Sequence, residues 1–198
     1  MNSTATTSDI EKALYYELEK RAKYMCPGKH LRNWFECDFL SVTRSDFLHE
    51  YEIKVSKSDF KADFKKTAKH LLLEGKERLF VGENDPKLNT FRRADNRKRK
   101  YIKEDSGSAG YMYDFSDLEK PNYFWYVTPE GLLTADDIPP YAGWMEVRKT
   151  NAIRHQGLRC FTRKEAPRLH AQKIASESIL NILESMCHRF WNLRILAD

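Results

Sequence analysis

Long hydrophobic runs are missing from this chain. No stretch approaches the ~18 consecutive apolar residues of a membrane span, so no membrane association is expected. The N-terminal Met-Asn-Ser-Thr-Ala-Thr-Thr is polar and lacks the apolar centre of a secretion signal. Cysteine is scarce. Cys26, Cys37, Cys160 and Cys187 lie far apart with no Cys-x-x-Cys pair, which argues against a zinc knuckle or a disulfide framework and for four reduced thiols in a cytoplasmic protein. His49, His70, His155, His170 and His188 are scattered without ligand spacing, and no internal repeat is present. Charge of one sign does not dominate either. The chain has 34 Lys and Arg against 29 Asp and Glu, a net +5, which is compatible with a nucleic-acid partner without demanding one. Aromatic residues are plentiful, with 11 Phe, 10 Tyr and 4 Trp in 198 residues. That excludes global disorder and fits one domain with a real core.

The pattern reads as follows. Residues 1–7 are expected to be a disordered leader. Ser8-Asp9-Ile10-Glu11 resembles a capping box for a helix over 9–24 with Ile10, Leu14 and Leu18 on its buried stripe, ended by Pro27-Gly28. Residues 33–43 and 47–56 read as two strands of a hairpin, turned at Arg44-Ser45-Asp46. In the second, Tyr51, Ile53 and Val55 alternate with Glu50, Glu52 and Lys54. A helix over 58–73 follows, capped by Ser58, with Phe60, Phe64, Ala68, Leu71 and Leu72 as its apolar stripe and lysines elsewhere. Residues 78–81 are too short to assign. Residues 82–121 form a polar, charged insertion. Strands are expected at 123–128 and 143–147, with a loop at 136–141. The core domain is thus placed at 8–150. Residues 151–198 supply a basic segment and a helix over 171–192 whose stripe (Ile174, Ile179, Leu183, Met186, Phe190) returns to the core or packs on a second copy.

Chemistry concentrates on the hairpin. Period two puts Glu52 and Lys54 on one face, ~6–7 Å apart, and Asp38 on the neighbouring strand lies within reach. Two close carboxylates repel unless a cation or a shared proton compensates. Carboxylate oxygens suit Mg²⁺, which keeps waters and substrate phosphates as its other ligands. A lysine beside such a metal can orient or deprotonate a water, or neutralise charge on phosphorus oxygens. Asp38 sits in an otherwise apolar strand, and Glu17 comes from the burial side of the preceding helix.

The order of helix with Glu17, strand with Asp38, strand with Glu52-Ile53-Lys54, then helix resembles the PD-(D/E)XK nuclease superfamily and its restriction-endonuclease-like α/β core. Glu36-Cys37-Asp38-Phe39, the run from Tyr51 to Phe60, and Lys69-His70 look like its MmcB-like branch of bacterial and phage DNA-repair proteins. The resemblance covers about residues 9–75 and extends loosely to 123–147. It implies a central mixed sheet flanked by helices, and a divalent-metal-dependent DNA nuclease of repair, recombination or phage DNA processing in a bacterial or phage-infected cell. Asp38 and Glu52 match the metal-binding acids, the Ile53 carbonyl an added metal ligand, and Lys54 the catalytic lysine. Glu17 matches the acid borne by the first helix, with Glu11 and Glu19 as competitors. Cys37 stands where the family motif has proline. The family core has three strands before its middle helix, so a short third is expected near His30–Arg32. The implied cofactor is Mg²⁺ or Mn²⁺, with no small-molecule cofactor.

DNA is the expected partner, gripped by Lys57, Lys65 and Lys69 and by the run Arg92, Arg93, Arg97, Lys98, Arg99 and Lys100, with Tyr101, Tyr111 and Tyr113 available to stack on bases. Arg148, Lys149, Arg154, Arg159, Arg163 and Arg168 would widen the positive rim. A homodimer is possible. Two other readings compete with the nuclease. One is a DNA-binding or repair-accessory module of the same fold without turnover. The other is a protein-interaction module that uses the basic segment against an acidic partner.

Overall fold

In the computed structural model of the chain, the described residues are 5–31, 34–85, 99–103, 109–116, 118–151 and 157–196. The architecture is mixed α/β. One six-stranded sheet has helices on both faces, a three-stranded sheet lies beside it, and a long helix ends the described chain.

The first helix, α1 (Thr7–Leu18), starts earlier than the sequence suggests. Thr6 is the N-cap: its hydroxyl accepts from the Asp9 N–H while the Asp9 carboxylate accepts from the Thr6 N–H. Ser8 lies inside the helix, and Ala5 is already buried, so residues 5–7 belong to the fold and not to a leader. Ile10, Ala13, Leu14 and Leu18 form its buried stripe. The helix ends at Leu18, not at 24, because Glu19, Lys20 and Arg21 give it nothing further to bury. The chain then turns into β1 (Ala22–His30), which pairs antiparallel with β2 (Glu36–Thr43). The third strand expected near His30–Arg32 is therefore present, but it begins at Ala22 and takes in residues 22–24, which the sequence assigns to the end of the first helix. Its backbone contains Pro27, which is tolerated because β1 is an edge strand.

β2 pairs antiparallel with β3 (Leu48–Ile53), through Phe39↔Tyr51 and Leu40↔Glu50. The expected middle helix is two helices, α2 (Lys57–Asp63) and α3 (Thr67–Leu73). Ser56, not Ser58, caps α2 by accepting from the Asp59 N–H. Across the break at Phe64–Lys66, Asp63 and Lys66 pair at 3.0 Å, and Lys66 also reaches Glu52 on β3 at 3.4 Å. β4 (Arg78–Gly82), β5 (Arg99–Lys103) and β6 (Ala109–Asp114) form the small sheet in the order β4-β6-β5.

β7 (Tyr123–Pro129) then runs parallel to β3, and β8 (Ala142–Lys149) parallel to β7. β8 carries Gly143 directly beneath the Trp125 ring, where any Cβ would collide. β9 (Leu158–Lys164) closes the sheet antiparallel to β8, so the sheet continues past residue 150. The final helix, α4, spans Ser176–Leu196. The main sheet order is β1-β2-β3-β7-β8-β9.

Two cores result. On one face α1 packs against Phe39, Tyr51, Ile53, Trp125, Val127 and Met145. On the other, Phe60, Ala68 and Leu72 of α2–α3 meet Leu40, Leu48, Phe124 and Tyr126, and Ile174 just before α4 and Ile182 within it join them. Both faces of β3 are therefore covered. Among the described residues no helix is long and apolar enough to cross a membrane.

Candidate active site at the end of the third strand

Covering both faces of β3 forces its polar residues underground. Glu50 and Glu52 point beneath α2–α3 and are essentially inaccessible, and Lys54, just past the strand, is nearly so. Buried charges must be paired. Here α3 supplies Lys69, itself wholly buried, 2.5 Å from Glu50 Oε1 and in contact with Glu52 Oε1. Lys54 Nζ lies 2.9 Å from Glu52 Oε2 and 3.2 Å from Asp63 Oδ1. Lys66 reaches the same two acids at 3.4 and 3.0 Å. Trp34 Nε1 donates to Glu50 at 2.7 Å and Tyr126 Oη to Asp63 at 2.9 Å. His70 closes the group, with Nε2 3.0 Å from the Asp63 carbonyl and Nδ1 2.6 Å from the Tyr141 hydroxyl.

Electrostatics follow from this packing. Burial would raise Glu52, but Lys69, Lys54 and Lys66 outweigh it and hold the carboxyl below the usual range. Burial would likewise raise Asp63, but the His70 hydrogen bond and the lysines win, and it is lowered. Glu50 is raised, because burial exceeds the help from Lys69. Burial alone would lower Lys54, yet Glu52 and Asp63 keep it above its ordinary value, so it is an ammonium at neutral pH.

Asp38 is the exception. It lies beside this cluster, half-buried, and its Oδ2 accepts from the Ile53 N–H at 2.8 Å. Burial first, and then the neighbouring Glu52 charge, push its carboxyl up to about 6. Among the described residues it has no ion-pair partner. Among the described residues four carboxylates (Asp38, Glu50, Glu52, Asp63) thus face three lysines, and Asp38, the most accessible of the four, is the one with no ion pair.

The structure brings Asp38, Glu52, Ile53 and Lys54 together as the sequence expects. It does not bring Glu17. That residue sits on α1, across the sheet from Glu52, and pairs with Arg21 at 3.3 Å. Lys69 cannot grip DNA, because it is locked between two glutamates. Lys57 and Lys65 are exposed, as is Lys100, while Arg99 lies half-buried over the Tyr111 ring. Arg92, Arg93, Arg97, Lys98 and Arg154 lie outside the described residues. Tyr113 is fully buried and unable to stack on a base. On the basic rim, Arg148 pairs with Glu130 and Arg163 with Glu146. Sequence reasoning missed Glu50, Asp63 and Lys66 as members of the cluster. Glu50 was visible in the Glu50/Glu52/Lys54 alternation, but the contacts of Asp63 with Lys54 and of Lys66 with Glu52 come from long-range packing and leave no local signal.

The donor set suits a hard cation only in part. Among the described residues no three His, Cys, Asp or Glu side chains stand together as a ready metal site. Two adjacent carboxylates do suffice for Mg²⁺, which keeps waters and phosphate oxygens as other ligands. The uncompensated Asp38 beside Glu52 is the feature that fits.

No protein-family model matches the chain, and no curated protein matches it. Among solved structures the chain is similar to a protein of unknown function from Silicibacter pomeroyi, at 12 % identity and a TM-score of 0.55, over 100 % of this chain and 94 % of that one. At that identity the likeness shows a common fold and nothing finer.

Proposed function

We propose that the chain is a divalent-metal-dependent nuclease that hydrolyses DNA phosphodiester bonds. The observation that carries this reading is Asp38, a half-buried carboxylate with no ion-pair partner among the described residues, set beside Glu52 and Lys54. The order of helix, three antiparallel strands, helices and a parallel strand, which the PD-(D/E)XK resemblance leads one to expect, supports it. Asp38 and Glu52 would hold Mg²⁺ or Mn²⁺, with the Ile53 carbonyl beside them. The ion's chemistry is Lewis-acid stabilisation of phosphoryl charge and acidification of a water. Lys54 is held between Glu52 and Asp63 as an ammonium, so it donates hydrogen bonds to a phosphate oxygen or a water and does not abstract a proton. Asp63, Lys66 and Lys69 fix the positions of Lys54 and Glu52.

A second reading is a DNA-binding accessory module without turnover. It is favoured by one observation: both oxygens of Glu52 already carry lysine partners. Incubation of end-labelled single-stranded, duplex and branched DNA with Mg²⁺, Mn²⁺ or EDTA separates the two. Cleavage that requires the metal and is lost in Asp38→Asn and Lys54→Met supports the nuclease. DNA binding without cleavage, unchanged by either substitution, assigns the accessory module.

A further inference from the structure

The end of α4 leaves the body of the protein. The helix is 21 residues long, about 31 Å at 1.5 Å per residue. Its early part is anchored by Ser178 and Ile182, and the chain leading into it by Ile174. Ile179, Leu183, Met186, Phe190 and Leu193 then repeat at alternating four- and three-residue spacing, the seam of a helix that pairs with another helix. Ile179 and Leu183 are half-buried on the body, but the same seam continues outward until Phe190 is 63 % and Leu193 70 % exposed. Trp191, Ile195 and Leu196 are exposed to 60 %, 68 % and 83 % on the remaining sides. Polar residues (His188, Arg189, Asn192, Arg194) are interspersed, but five large apolar side chains at 60 % exposure or more on one short arm are a surface that calls for a cover.

Beside this arm lies an apolar groove of about 410 Å³ between α1 and β1, lined by Tyr15, Tyr24, Met25, Pro27, Phe39 and Met186. Met186 belongs both to the groove and to the seam, so the two form one continuous surface. Arg189 ties the arm to this side of the molecule through the carbonyls of Pro27 and Gly28.

We propose that this surface pairs with a second copy of the chain. The seams of two α4 arms pack together about a two-fold axis, and the Trp191 flank of each enters the α1–β1 groove of the other. The area fits that occupant. Phe190, Trp191, Leu193, Ile195 and Leu196 present roughly 500 Å² of apolar surface. A standard interface of ~800 Å² per partner is about 57 % apolar, so it requires nearly the same amount. Joining receptor and arm on one protomer is also what a self-complementary interface requires.

The test is sedimentation equilibrium of the full chain between 1 and 100 µM. A dimer is expected, converted to monomer throughout the range by the double substitution Phe190→Glu and Leu193→Glu. Tyr15→Glu in the groove is expected to weaken it at least tenfold. Both variants change exposed residues, so their thermal midpoints should match that of dilute wild type, which separates loss of pairing from loss of fold. A wild type that stays monomeric at 100 µM, or a dimer indifferent to the arm variant, overturns the proposal. So does a monomer that co-sediments with phosphatidylglycerol vesicles, which would assign the arm to lipid.

Discussion

The Ile53 N–H donates to the Asp38 carboxylate across 2.8 Å, which holds a half-buried acid against Glu52 with no ion-pair partner among the described residues. The neighbouring acids each have at least one ammonium within 3.5 Å or closer contact. An acid held in this way is a cost to the metal-free fold, and that cost can be measured.

Asp38→Asn is expected to stabilise the metal-free protein. The folded carboxyl sits at about 6, above its ordinary value of 3.8. Its stabilising contribution is therefore fully present below pH 3.8 and is lost as pH rises through 6. Asparagine keeps the acceptor for Ile53 and removes the charge. At pH 8 the gain should be about 1–2 kcal/mol after discounting for solvent access, and should vanish near pH 4. Urea unfolding of both proteins at the two pH values checks it. Under the nuclease reading, Mg²⁺ should raise the wild-type midpoint and leave the variant unmoved.

Lys69→Met should be severe, because it leaves the buried Glu50 without an ammonium and takes one of three from Glu52, which keeps Lys54 and Lys66. Removing one partner of a buried ion pair costs about 3–5 kcal/mol. Adding Glu50→Gln to Lys69→Met should recover part of the loss, since Trp34 Nε1 can still donate to the amide oxygen. Guanidinium midpoints of the single and double variants give the comparison. If the single variant loses under 1 kcal/mol, the cluster is not the dry network described.

Glu52, Lys54 and Asp38 were legible because strand periodicity is short-range and robust. Val55 and Tyr51 framed the same alternation, and the two strands paired as their pattern required. The middle helix was misread because Phe60, Phe64, Ala68 and Leu72 keep helical spacing through a break. Nothing local marks the turn, since Lys66 caps α3 with no side-chain hydrogen bond. The start and length of β1 are hidden for a related reason. Tyr24, Met25 and Cys26 continue the apolar spacing of α1, and only the partners on β2 decide in favour of a strand. β9 is an edge strand with alternating charges and few buried residues, so its pattern resembles a solvated loop. The site acids on one hairpin were local information, whereas the groups that neutralise them were not.

Glu17→Gln separates local resemblance from assembled geometry. The carboxylate pairs with Arg21 on α1, across the sheet from Lys54. Cleavage by this variant should stay within twofold of wild type under conditions where Asp38→Asn loses more than a hundredfold. The stability change should be under about 0.5 kcal/mol, as for an exposed i,i+4 pair. A large fall in cleavage with an unchanged melting midpoint would return Glu17 to the site.

His49 sets a second pH limit on the fold, independent of the acids. Its ring stacks on Tyr123 at 4.4 Å, and Nδ1 accepts from Trp125 Nε1 at 3.2 Å, so the neutral tautomer with the proton on Nε2 is the one that fits. Burial lowers its pKa from 6.5 to about 4. The folded form therefore resists protonation while the unfolded form accepts it. The stability this provides is present above pH 6.5 and is lost as pH falls toward 4, by up to about 3 kcal/mol. Asp38 acts in the opposite direction over part of the same window, so the raw pH profile of the wild type mixes the two. The difference between wild type and His49→Gln isolates the histidine. Wild type should be the more stable above pH 7 by the value of the lost stacking, and that advantage should shrink steadily between pH 6.5 and 4. A difference that stays constant with pH would mean that His49 titrates normally and that the stacked ring is open to water.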